Sequence, residues 1–359
     1  MRHNCIDFLV DESFTLIFRN NKEQGESYSL LDYIEINGKR LRGKYISFVY
    51  DVGEYQLNGK PIVEHLSDHR GYNLWWMSKI AEKSHINSSS QLNNCIKLLA
   101  LEEILVSNKI REIFIHGPVK NNQLVNAIEL LCSNLDIVVC NQTSNEYFKF
   151  NIKKYLHKYR PEILSVAFWL FRYLKLHWPL REKRKISWFS GNQSIIIFSY
   201  FFALNVGKCS KGEFYSKQWG ALPKIFKRKG VKINWMHHFM SFNGMNDTST
   251  ALSWISGFNN NSEQQGMHAF FESQLSFSLV ISVLKNYTKF FIRSFRIGKI
   301  SDAFKVNNSE VDLWPILKDE WIASIRGGAA IRNCMFIELV DKAIKSLPYQ
   351  KNALYLQEN

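Results

Sequence analysis

Asp68, His69 and Arg70 place an acid, an imidazole and a guanidinium in consecutive positions, and the run GYNLWWMSKIAEKS (71–84) follows directly. Carboxylates and imidazoles move protons near neutrality, and a neighbouring cation binds the anions that such chemistry handles. Read as a helix from Gly71, the run puts Trp75 and Ser78 on one face with Glu82, and Trp76 with Lys79 and Lys83. One face therefore pairs an aromatic ring with a carboxylate, which leaves both readings open, a plug in the core and a segment lining a site. A large aromatic pair is usually core, but core helices seldom carry so many ionisable groups beside it.

Other candidates lie after apolar strands, where ligands collect in open α/β sheets. His116-Gly117 follows REIFIHG, Ser199-Tyr200 lies in SIIIFSYFF, and His237-His238 lies in KINWMHHF. Each histidine is a candidate general base or phosphate donor, although an imidazole at a strand end is more often structural. The loop GEFYSKQWGALP (212–223) interleaves Glu213, Tyr215, Ser216, Lys217 and Trp219. Rings stack on aromatic faces and hydroxyls or phosphates meet such polar groups, so the loop suits a sugar or nucleotide. The spacing of Tyr215 and Trp219 equally suits a buried stripe.

The elements that must position these residues follow from periodicity. Residues 1–66 read as a β-rich segment: SFTLIF, YSLLDYIEI, KYISFVYDV and EYQL predict strands, with turns at Asn37-Gly38 and Asn58-Gly59. From Gly71 a long helical stretch is predicted, with Leu92, Cys95, Ile96, Leu99, Leu101 and Leu105 on its apolar side. REIFIHG, a helix over 123–131 and DIVVC form one βαβ unit; SIIIFSYFF, a helix around 219–229 and KINWMHHF form another. Continuous apolar strands alternating with helices predict a parallel sheet covered on both faces, in an α/β domain over 67–345. Helical insertions are expected at 151–186 and 246–345.

Composition narrows the function. With 359 residues, 46% of them hydrophobic, the chain buries a substantial core, and its net charge of +14 predicts an anionic partner. A helix opened by Pro161 and running into LREKRK (180–185) reads either as an amphipathic element on an anionic membrane or, by the commoner precedent, as a packed helix with a solvated end. The six cysteines are scattered without Cys-x-x-Cys spacing, which suits a reducing cytosol and suggests no zinc site. The start MRHNCIDFLVDESF is too charged for a secretory signal, and no apolar run approaches the roughly 20 residues that span a bilayer. Phosphate-cradling G-x-x-x-x-G-K-[ST], dinucleotide-binding G-x-G-x-x-G, the G-x-S-x-G elbow and H-E-x-x-H are all missing, as is Asp-x-Asp.

The runs KYISFVYDVGEYQLNGKPIVEHL, GYNLWWMSKIAEKS and NCIKLLALEEIL, with GEFYSKQWGALP and KINWMHHF, resemble a family of transferases from bacterial O-antigen and capsule loci, the surface carbohydrate biosynthesis proteins. The likeness extends from about residue 28 to the end, and its WWMS and EKS elements are the more specific. It implies a glycosyltransferase of GT-B-like architecture, with two Rossmann-like domains across a cleft, of which this chain would be the N-terminal, acceptor-side part. The strand-like NALYLQEN, within 346–359, would open a C-terminal donor domain that is missing. The resemblance further implies a metal-independent reaction with a nucleotide sugar as co-substrate and no resident cofactor. The acceptor would be a lipid-linked or polysaccharide chain, met on the cytoplasmic face with peripheral attachment to an anionic membrane.

On that reading Glu82, within the matched EKS, is the first candidate base, with Asp68, His116 and His238 behind it. With the resemblance added, Trp75 and Glu82 are expected towards the cleft and Trp76 packed inward; Trp75, Tyr215 and Trp219 would stack on sugar rings, and Arg70, Lys83 and Lys217 would meet anionic groups. Ser84, Glu213, Ser216 and Glu358, the last in the matched LQEN, complete the expected substrate contacts. A noncatalytic scaffold or inactive truncated product of the same pathway is the alternative. Nucleic-acid binding rests on charge alone.

Overall fold

The computed structural model describes residues 5–9, 14–20, 23–81, 91–116, 122–142, 162–181, 186–242, 245, 247–261, 263 and 266–356. The chain forms two compact units, Met1–Ile163 with Phe290–Ala330, and Leu164–Lys289 with Ile331–Asn359.

The first unit holds a mixed five-stranded sheet. Strands β1 (Cys5–Leu9), β2 (Thr15–Asn20) and β3 (Glu23–Ser29) are antiparallel neighbours, and β1 pairs in parallel with β6 (Glu112–His116), which pairs in parallel with β7 (Val138–Gln142). Because β1 lies beside β6, the expected β-rich segment and the first βαβ unit share one sheet.

Residues 30–54, expected as strands around an Asn37-Gly38 turn, instead form one helix, α1 (Leu30–Glu54). Its β-branched and aromatic composition misled, while the spacing of buried Leu41, Tyr45, Phe48, Val49 and Val52 is helical. Ser29 caps it, its Oγ accepting from the Asp32 amide at 3.2 Å. The Asn58-Gly59 turn stands as expected: both residues take positive φ, 50° and 76°, between the short strands β4 (Gln56–Leu57) and β5 (Lys60–Pro61). The long helix forms as α2 (Gln91–Ser107), and α3 (Asn122–Asn134) follows β6 as the pattern predicts.

The second unit holds a fully parallel sheet in the order β10-β9-β8-β11, from β8 (Gly191–Phe201), β9 (Lys232–Phe239), β10 (Gly266–Phe270) and β11 (Gln350–Tyr355). The helix α4 (Glu162–His177) precedes β8, α5 (Leu222–Arg228) connects β8 to β9, and α6 (Thr248–Asn260) connects β9 to β10. The greater part of the long α7 (Phe277–Arg296) and of α9 (Gly328–Ser346) belongs to this unit, while α8 (Trp314–Ile325), between them in the chain, belongs to the first.

Side chains alternate across a strand, so this sheet has two unlike faces. One carries Ile195, Ile197, Phe201, Trp235 and Phe270 against Trp254 and Phe258 of α6. The other carries Ile196, Met236, Ala269 and Phe271 against Val340 and Ala343 of α9.

Candidate functional site

The segment 71–81 is not helical. It is a succession of turns, because side chains offer its backbone better partners than a helix would. The Asp68 carboxylate accepts from the Arg70 and Tyr72 amides at 2.8 and 3.0 Å, and Asn73 Oδ1 accepts from the Trp75 amide at 2.7 Å. Arg70 Nε donates to Asp68 Oδ2 at 2.8 Å. Burial alone would raise the Asp68 pKa, but these donors outweigh it and lower it. Asp68 and Arg70 thus clamp a turn, and the carboxylate holds a structural ion pair in place of the expected base.

The tryptophans are reversed from expectation. Trp75 is 0% exposed and packs on Trp321 with ring centroids 6.1 Å apart, whereas Trp76 is 50% exposed. A Cβ on Gly53 would stand 2.8 Å from Trp75 Nε1, so α1 approaches this ring closely through its glycine. Trp75→Ala is expected to destabilise the protein by about 3–5 kcal/mol in urea titrations, and Trp76→Ala by less than about 0.5 kcal/mol. Equal costs would contradict this placement. Glu82, Lys83, Ser84 and Glu358 lie outside the described residues.

Of the expected bases, two histidines stand beside carboxylates. His116, the last residue of β6, has Nε2 2.6 Å from Asp7 Oδ1 in the neighbouring β1. His238, near the carboxyl end of β9 in the second unit, has Nδ1 2.7 Å from Glu272 Oε1. Glu272 sits in the turn directly after β10 and is 0% exposed. Its Oε2 accepts from the Phe239 amide at 3.3 Å, while the Oε1 contact to His238 is close but out of line for a well-aligned hydrogen bond. Burial disfavours the charged imidazole of His238, yet the Glu272 charge outweighs it and raises the pKa.

Around this pair stand Tyr200 of β8, 6.1 Å from the His238 ring, and Phe336 of α9 at 5.7 Å. The groups therefore converge from the carboxyl ends of three parallel strands, the position where such sheets hold ligands. The Glu272 charge 2.7 Å from Nδ1 favours the proton there by electrostatic attraction even without an aligned hydrogen bond, which leaves Nε2 as the acceptor; among the described residues Nε2 has no partner. Such an imidazole can take a proton from a hydroxyl, with Glu272 stabilising the imidazolium that forms. Among the described residues no three His, Cys, Asp or Glu side chains group as metal ligands would.

The neighbouring His237 points to the opposite face, 0% exposed, and its Nε2 lies 3.0 Å from His268 Nδ1. Burial pushes the His237 pKa down to about 3 and that of His268 well below its ordinary value, the latter helped by His237. His177 of α4 is also lowered, by burial first, against the nearby Glu272 charge. Three histidines with folded pKa values below the unfolded value stabilise the protein above about pH 6.5, and that contribution is lost as pH falls. The raised pKa of His238 contributes fully below that point and offers no compensating slope. Urea midpoints are expected to drop between about pH 6.5 and 5, by up to about 1.4 kcal/mol per pH unit for each histidine. A flat profile there would show that these imidazoles are not held neutral.

The 212–223 loop lies on the His237 face. Glu213, Tyr215 and Ser216 border a cavity of about 350 Å³, Lys217 is exposed, and Trp219 is core, its Nε1 donating to Ser199 Oγ at 2.8 Å. The sheet thus divides the expected substrate contacts of this unit from His238. No motif or spacing singles out His177 or His268, and only an acidic residue just past the apolar run HAFF marks Glu272.

The chain matches no protein-family model, no curated protein and no solved structure.

Proposed function

We propose that the chain serves glycosyl transfer to a hydroxyl acceptor presented at an anionic membrane surface, with His238 as general base and Glu272 as the group that orients and charges it. The observation that carries this reading is the His238–Glu272 pair at the carboxyl ends of the parallel sheet. Its carboxylate is wholly withheld from water, whereas the Asp7 side chain beside His116 keeps 14% of its exposure, so the field on His238 is the less screened. Transfer to an alcohol needs only such a base as the donor's leaving group departs, and the nucleotide sugar as donor follows from the resemblance in the sequence.

The membrane part of the reading rests on α7. Phe277, Ile281, Leu284, Ile292 and Phe295 share one exposed stripe along it, and Phe277 is 73% exposed. Lys285, Lys289, Arg293 and Arg296 form a cationic row beside that stripe, on a helix whose third side is buried through Leu279, Val283, Tyr287 and Phe290. An apolar row flanked by cations fits the boundary between acyl chains and anionic head groups. In α4, Phe171 is 68% exposed near Arg172 and Lys175. No helix among the described residues is long and apolar enough to cross a membrane.

Incubation of the purified chain with a panel of labelled nucleotide sugars and bacterial lipid extract tests the proposal. Label is expected to move into the lipid fraction with at least one donor and to depend on His238. Transfer with none of them would overturn the reading.

A further inference from the structure

The cavity on the His237 face is a second site, and its chemistry can be read from one unsatisfied atom. His237 and His268 share a single hydrogen bond, and His237 Nδ1 is buried without a partner. An orphaned buried N–H is the costlier defect than an unused lone pair, so the His237 proton belongs on Nε2, donating to His268 Nδ1. Both rings are neutral, which places the His268 proton on Nε2.

That Nε2–H borders the cavity. His268 lines it while being 1% exposed, and no acceptor for Nε2 stands among the described residues. Gly266 lines it too, and a Cβ there would lie 3.0 Å from His268 Nε2, so the absent side chain is what leaves the donor open to the cavity. Lys211, Lys224 and Lys227 bring three cations to the same lining against the two carboxylates of Glu213 and Glu263, of which Glu213 is already paired with Lys208 at 3.3 Å, and Phe214, Tyr215 and Trp235 supply apolar walls. Donors and cations beside aromatic rings call for an anion carried on a ring, and about 350 Å³ is the lower end of the range for small-molecule pockets.

We infer that this cavity binds a small phosphorylated ring compound, its phosphate among the lysines and the His268 donor and its ring against the aromatic wall. The sheet lies between this site and His238, so the bound molecule takes no part at the base. Adjacent residues of β9, His237 and His238, carry the two sites on opposite faces.

Isothermal titration calorimetry with adenosine monophosphate, ribose phosphate, inorganic phosphate and adenosine tests the inference. At least one of the two ring phosphates should bind more tightly than inorganic phosphate or adenosine. The exposed-site double variant Lys224→Ala/Lys227→Ala should weaken that binding by about tenfold or more, as loss of charged hydrogen bonds does. Gly266→Ala, with a backbone suited to alanine, should weaken it by crowding His268 Nε2. Lys39→Ala, on exposed α1, and His238→Gln should leave it unchanged. Absence of binding by both ring phosphates, or equal affinity in the lysine and glycine variants, overturns the site. Loss of affinity in His238→Gln would put the ligand at the base and overturn the separation of the two sites.

Discussion

His238→Gln is expected to lower kcat for glycosyl transfer by about a hundred- to ten-thousand-fold with little change in KM, the range for loss of a positioned general base. Glutamine keeps much of the ring's volume and polarity but cannot take the proton. Glu272→Gln gives the complementary result through the pH profile. On the proposed mechanism the base acts as neutral imidazole, so activity is expected to rise with pH through the His238 pKa, which Glu272 holds above the ordinary value against the opposing effect of burial. With the carboxylate neutralised, burial acts alone and the acidic limb of the kcat/KM profile moves to lower pH. A Glu272 that merely braced the turn after β10 would alter stability and leave that limb in place. His116→Gln separates the two histidine–carboxylate pairs: full activity is expected, and a loss there with activity retained in His238→Gln would move the base to the first unit.

Vesicles containing phosphatidylserine are expected to sediment the protein, and pure phosphatidylcholine vesicles to leave it in solution. Each Lys or Arg near an anionic surface contributes about 1 kcal/mol, so Lys285→Gln/Lys289→Gln should weaken binding by about thirtyfold. Both side chains are exposed on α7, away from its buried stripe, and their replacement leaves the core intact. Phe277→Ser/Ile281→Ser removes the apolar half of the contact and should abolish binding even at low salt, where attraction by charge is greatest. Salt-sensitive binding that survives the serine variant would mean plain electrostatic adsorption. Self-association of the protein, abolished by the serine variant without any vesicle binding in the wild type, would assign the stripe to a second copy of the chain.

The strands of the parallel sheet were legible because a strand buried on both faces writes a continuous apolar run, as in SIIIFSYFF and KINWMHHF. Five-residue β10 was hidden, since GMHAF is too short to separate strand from helix by periodicity. With it went Glu272, whose role depends on lying one turn beyond that strand. The α1 error had the opposite cause: side chains of strong β preference packed at helical spacing, and tertiary packing overrode the preference. In 71–81 the polar residues read as cleft groups were forming turns. Asp68 and Asn73 spend their oxygens on backbone amides, and the pair Trp75-Trp76 is divided by a turn whose geometry no helical wheel represents.

The alternation along β9 has a genetic consequence. Eight consecutive residues of β9 pair with β8 without a bulge, from Lys232 opposite Ser194 to Phe239 opposite Phe201. Deleting one codon within 232–236 would leave both His237 and His238 in the protein while sending each to the opposite side of the sheet, away from His268 and Glu272. Such a deletion is expected to be more damaging than replacement of either histidine. Length changes in this stretch should therefore be tolerated only in the connections that flank β9, while the strand itself serves as a ruler, counted in single residues.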